Sequence, residues 1–67
     1  MPIFYVRGHI METTKATVML VADDEHDADL KSVDFGITGS KKVYTKAEWD
    51  TTGGVESNEH FILGYIG

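Results

Sequence analysis

The stretch Lys15–Ile37, KATVMLVADDEHDADLKSVDFGI, decides the fold of this chain. Ala16–Ala22 is apolar on both sides of an extended backbone, with Val18 and Leu20 on one and Met19 and Val21 on the other, which predicts a central strand. Asp23 or Asp24 then offers a side-chain oxygen to the unpaired amides of a helix start, and the acids beside it suit the positive end of the helix dipole. On a helical wheel His26, Leu30 and Val33 share a face, the expected seam against a sheet. Asp27 and Lys31 have the spacing of an i, i+4 ion pair, and Gly36 is the expected left-handed stop. A rival pattern overlaps the helix. Val33, Phe35 and Ile37 alternate, and Gly39-Ser40 can turn a hairpin into Val43-Tyr44-Thr45, so that Asp29–Thr38 would be a strand and the protein an all-β meander or small barrel.

Working outward, Ile3–Ile10 is rich in β-formers and Pro2 suits the first position of a strand. The short connection Met11–Thr14 predicts a hairpin between the first two strands. Lys42–Thr45 is a short strand. Thr45-Lys46-Ala47-Glu48 has the spacing of a capping box that starts a helical turn carrying Trp49, though the same residues also fit a continued strand. Asp50–Glu59 is the one long loop, with Gly53-Gly54 at its centre. His60–Ile66 is apolar on both faces (Phe61, Leu63 and Tyr65 against Ile62 and Ile66), so it is expected to be central in the sheet or covered by a second chain. The architecture this predicts is α+β: a small antiparallel sheet with one helix packed on a face, in the order β-β-α-β-β, as a single domain over residues 1–67.

With 67 residues and no cysteine, the chain has no disulfides to offset a small core, which leaves dense packing, a metal or a partner subunit. The absence of cysteine fits a reducing compartment. The N-terminus lacks the pattern of a signal peptide and no apolar run approaches the ~20 residues of a membrane span. The expectation is a cytoplasmic protein off the membrane, and the run from Met1 to Gly67 reads as a complete small gene product.

Charge is local. Six of the eleven acids, Asp23, Asp24, Glu25, Asp27, Asp29 and Asp34, fall in the helical segment beside Lys31, while the rest of the chain holds five acids and five bases. A helix of about eleven residues is ~16 Å long, so its carboxylates average one per ~3 Å, close to the ~3.4 Å between phosphates along one nucleic-acid strand. Such a surface suits docking on a basic protein and opposes direct binding to nucleic acid. Lys15, Lys41, Lys42 and Lys46 are too few and too dispersed in sequence to predict a groove.

Other chemistry finds little support. His26 stands among Asp23, Asp27 and Asp29, but the spacing matches no metal-ligand motif. Read as an EF-hand from Asp23, the chain has Ala28 where glycine is needed and Asp34 in place of the final glutamate. Asp34-Phe35-Gly36 copies the kinase metal-binding tripeptide without the other kinase motifs, and no serine stands in a nucleophile elbow. No cofactor, metal or catalytic residue is expected. Trp49, with the loop after it, is the candidate interface anchor, since Trp and Tyr dominate binding hot spots; the alternative is a tryptophan that closes one end of the core.

These readings predict a non-enzymatic protein-interaction module whose binding residues are Asp23, Asp24, Glu25, Asp27, Asp29 and Trp49. In size and charge the chain resembles the small acidic inhibitors that phages and mobile elements direct at host defence or nucleic-acid-handling proteins. That resemblance implies inhibition by occupying a basic groove. The alternative is an assembly protein that forms a homodimer through its apolar C-terminal strand.

Overall fold

The computed structural model describes residues 2–11, 13–54 and 58–64. Among these described residues six elements follow one another: β1 (Ile3–Ile10), β2 (Thr14–Val21), α1 (Glu25–Val33), β3 (Thr38–Thr45), α2 (Lys46–Thr51) and β4 (His60–Gly64). The class is α+β, and Asp29–Val33 is helical, so the all-β alternative does not hold. The strands form one sheet in the order β3-β1-β2-β4. Two features correct the expected architecture. A second helix intervenes before the last strand, and β4 pairs with β2 in parallel, so the sheet is mixed. Parallel pairing needs a crossover of a dozen or more residues. Residues 46–59, with α2 inside them, supply it.

The β1–β2 hairpin turns at Met11, which takes a left-handed conformation at φ 54°. Helix α1 starts as its sequence predicts. Asp24 is the N-cap and accepts a hydrogen bond from the Asp27 amide, while Asp27 accepts one from the Asp23 amide and pairs with Lys31 at 3.1 Å. Its end is a Schellman closure: Gly36 sits at φ 82°, its N–H donates to Val33 O, and the Ile37 N–H reaches back to Ser32 O. Helix α2 begins with a complete capping box between Thr45 and Glu48.

The sheet divides cleanly into two faces. On one, β1 contributes Phe4 and Val6 and β2 contributes Ala16, Val18 and Leu20, all buried, with Val43 and Ile62 beside them. Val43, Val6, Val18 and Ile62 lie in register across the four strands. Helix α1 covers this face, but not with the residues its periodicity suggested. Ala28 and Ser32 are the buried pair, whereas Leu30 and Val33 are 59% and 54% exposed and His26 is exposed too. The seam is reversed because small residues let the helix lie close. The volume beneath its end is filled by Ile37, fully buried, and by Phe35. Lys41 of β3 ties the helix down, 2.6 Å from Asp29 Oδ1.

The last strand is not central; among the described residues its Ile62 side packs on the core while its other side is open. It lies at an edge of the sheet, with Phe61 40% and Leu63 61% exposed. Tyr65 and Ile66 of the expected strand lie outside the described residues. No helix among the described residues is long and apolar enough to cross a membrane.

Candidate functional site

Two surfaces on opposite sides of the sheet merit consideration. The first is the outer side of α1. His26, Leu30 and Val33 do share a face, as the wheel predicts, and that face points to solvent. Around it stand the acids. Asp23, Asp24, Glu25 and Asp34 are exposed; Asp27 and Asp29 are half-buried and engaged with Lys31 and Lys41. The acidic residues are thus not equivalent. Asp24 and Asp27 also cap the helix, so part of the acidic cluster is structural.

The Asp23 N–H, then Lys31, hold the Asp27 carboxyl below the ordinary carboxylate range, and the Thr45 N–H, then its hydroxyl, do the same for Glu48. A depressed folded value means that the stabilisation is complete above the unfolded value and is lost as pH falls through the folded one. The expected result is a melting temperature that drops below about pH 4. In an Asp27→Asn/Glu48→Gln variant, thermal melts followed by circular dichroism from neutral to acid pH should give a flatter acid limb.

The second surface is the other face of the sheet, where the β3–α2–β4 crossover passes. Its side chains lie in rows fixed by register. Tyr44, Tyr5, Met19 and Leu63 form one row, and Lys42, Arg7, Thr17 and Phe61 the next, with His9 opposite Lys15 beyond them. The capping box at Thr45 turns the chain back over this face and lays Trp49 on Tyr5, rings parallel within 6° at 4.8 Å, with the Tyr44 ring edge-on at 5.6 Å. Trp49 is therefore buried, closing this side of the sheet.

Over the indole lies the Arg7 guanidinium, 4.7 Å from the ring centroid. Nη2 donates to Gly54 O at 3.1 Å, and Nε lies 3.2 Å from Glu59 Oε2 and 3.4 Å from Oε1. Thr17, itself buried, donates its hydroxyl to Glu59 Oε1. The Glu59 side chain is 1% exposed. Arg7 thereby holds both Gly54 and Glu59, with a buried carboxylate as the counter-charge.

Beside this anchor is a cleft of about 270 Å³ lined by Arg7, His9, Lys15, Lys42, Tyr44 and Glu59, with Gly8 and Ser40 completing its wall. Sequence reading missed it. Lys15 and Lys42 look dispersed along the chain, and strand register brings them to one cleft with Arg7; Lys41 and Lys46 lie elsewhere, paired with Asp29 and Asp50. The available signal was the alternation of Tyr5, Arg7 and His9 with Phe4, Val6 and Ile10, which marks β1 as having a polar face as well as a core face. Among the described residues no group of three or more His, Cys, Asp or Glu side chains is placed to hold a metal.

No family model, no curated protein and no solved structure matches this chain.

Proposed function

We propose that this protein is a non-enzymatic interaction module that docks through the outer face of α1 on a protein with a basic rim. The observation that carries the reading is the inversion of the helix. It turns Ala28 and Ser32 inward and leaves Leu30 and Val33 in solvent among carboxylates. Large apolar side chains with an acidic border match the anatomy of an interface, in which apolar anchors supply the hold and a charged rim steers the approach. A basic groove that otherwise takes a nucleic-acid strand is a partner of the right charge, and occupying it makes the module an inhibitor, as such small acidic proteins of phages and mobile elements are. Trp49 enters this reading as a support for the fold and not as the anchor, because Tyr5 and Arg7 already cover its ring.

The test separates anchor from rim. Leu30→Ala/Val33→Ala should keep the wild-type melting temperature, since both residues are exposed, and should weaken capture of a partner from lysate at least tenfold. Asp23→Asn/Glu25→Gln/Asp34→Asn, which leaves both helix-capping carboxylates in place, should slow association and flatten its salt dependence. The retained protein should be displaced by DNA or RNA. Equal recovery by wild type and both variants would remove α1 from the function. A second reading, self-association through β4, is favoured by Phe61 and Leu63 on an edge strand. Recovery of the chain itself as the sole partner would put that reading first.

A further inference from the structure

Among the described residues the sheet ends at β4 with nothing paired to its outer side. We propose that two copies of the chain join there, β4 to β4, antiparallel and centred on Ile62, into one continuous sheet that presents both α1 helices on the same face. Such a dimer rests on the second reading above, self-association through β4, and it leaves the docking face of α1 free.

The two edges of the sheet are built differently. A strand edge offers a row of backbone donors and acceptors to any further strand, and proteins blunt such edges with lysines, irregular backbone and bulges. β3 has all three: Lys41 and Lys42, Gly39 at φ 78°, and a shift of register against β1 between Arg7 and His9. β4 has none of them. It reads HFILG, without Asp, Glu, Lys, Arg or Pro, holds no left-handed residue, and pairs with β2 without a break from His60 to Gly64. One edge resists strand addition and the other is an ordered template for it.

Side chains select the added strand. A closed two-fold dimer uses the same patch on both copies, so β4 meets β4. With the axis normal to the sheet the strands run antiparallel and every residue keeps its face. Residues directly opposite share a face, so the axis passes through a residue and not between two. Only Ile62 as the centre pairs all five residues of the strand. Ile62 then faces its own copy, Phe61 faces Leu63, and His60 faces Gly64. On the core side the half-buried Ile62 side chains meet and join the two cores. On the other side Phe61 and Leu63, 40% and 61% exposed, cover each other twice as cross-strand neighbours.

Charge permits this approach. The chain carries −5, and six of its acids stand on or beside α1. That helix packs on β1, β2 and β3 and does not reach β4. With each helix lying over β1, five strand steps of ~4.8 Å separate the two, or ~24 Å. This exceeds the Debye length of ~8 Å at physiological salt, so the helices repel little across the dimer.

Sedimentation equilibrium of the full chain over a hundredfold range of concentration should show the mass passing from one chain to two and no further. Leu63→Lys, at an exposed position, should keep the melting temperature of the dilute protein and weaken association at least tenfold. The chain has no cysteine, so introduced cysteines report the register cleanly. Under mild oxidation a mixture of Phe61→Cys and Leu63→Cys should form the mixed disulfide at least tenfold faster than either variant links to itself, because only the mixed pair lies directly opposite. A single chain at every concentration would overturn the dimer, and growth beyond two copies would overturn the closed β4 pair. Association unchanged in Leu63→Lys would overturn β4 as the interface, and self-linking of Leu63→Cys as fast as the mixed reaction would overturn the register. Leu30→Ala/Val33→Ala should dimerise as the wild type does, so a failure of docking through α1 and a failure of the dimer are read separately. A weaker dimer in that variant would move the interface to α1.

Discussion

An Arg7→Ala variant is expected to lose about 3–5 kcal/mol of stability, the usual consequence of removing one partner from a buried ion pair. The total available to a chain of this length is on the order of 3–10 kcal/mol, so the variant should be partly unfolded at room temperature. The size of the effect follows from Glu59, whose side chain is 1% exposed and whose counter-charge is Arg7. Truncation leaves a buried carboxylate with Thr17 as its donor, and it also removes the cation from the Trp49 ring and the hold on Gly54 O. The diagnostic measurement is a double-mutant cycle by urea denaturation. Glu59→Gln retains an acceptor for Thr17 while discharging the site, so Arg7→Ala/Glu59→Gln should be more stable than Arg7→Ala by about 1–3 kcal/mol. A second substitution that rescues the first is the signature of an uncompensated charge. If Arg7→Ala unfolds within ~1 kcal/mol of wild type, the pair behaves as a surface ion pair and the anchoring role of Arg7 is wrong.

What the sequence makes legible here is local. The ends of α1 are readable because caps and stops are side-chain and backbone chemistry within a few residues: Asp24 over Asp27, Gly36 at positive φ, Ile37 reaching Ser32. The capping box at Thr45 is readable for the same reason. Periodicity groups His26, Leu30 and Val33 on one face, but it cannot say which way that face points. Inward orientation depends on what already fills the space, and Ile37 and Phe35 fill it from beyond the helix. The direction of β4 is hidden for a related reason, since a run of residues between strands does not reveal whether it returns beside its neighbour or crosses the sheet. The cleft is the least legible feature of all. Arg7, Lys42 and Glu59 lie far apart along the chain and meet through register and the crossover.

Gly8 is where the core and the cleft share a wall, and replacing it tests how tightly the core is filled. The glycine is buried in β1, at the irregularity in pairing with β3 between Arg7 and His9. A β-carbon there would stand 2.6 Å from Ile37 Cγ2 and 3.2 Å from both Lys41 Cγ and the Thr38 carbonyl oxygen. The first distance is impossible without movement. Ile37 is fully buried and stiff at its branch, and the Thr38 oxygen is backbone, so the strain passes to the β1–β3 pairing. Gly8→Val should therefore cost about 3 kcal/mol, the upper end for overpacking a well-filled core. Ile37→Ala alone should cost about 2–5 kcal/mol by opening a cavity. In the double variant the valine occupies part of that cavity, so the combined loss should fall short of the sum by at least ~1 kcal/mol. Denaturation midpoints of the four proteins decide this, and strict additivity would mean that Gly8 and Ile37 do not touch.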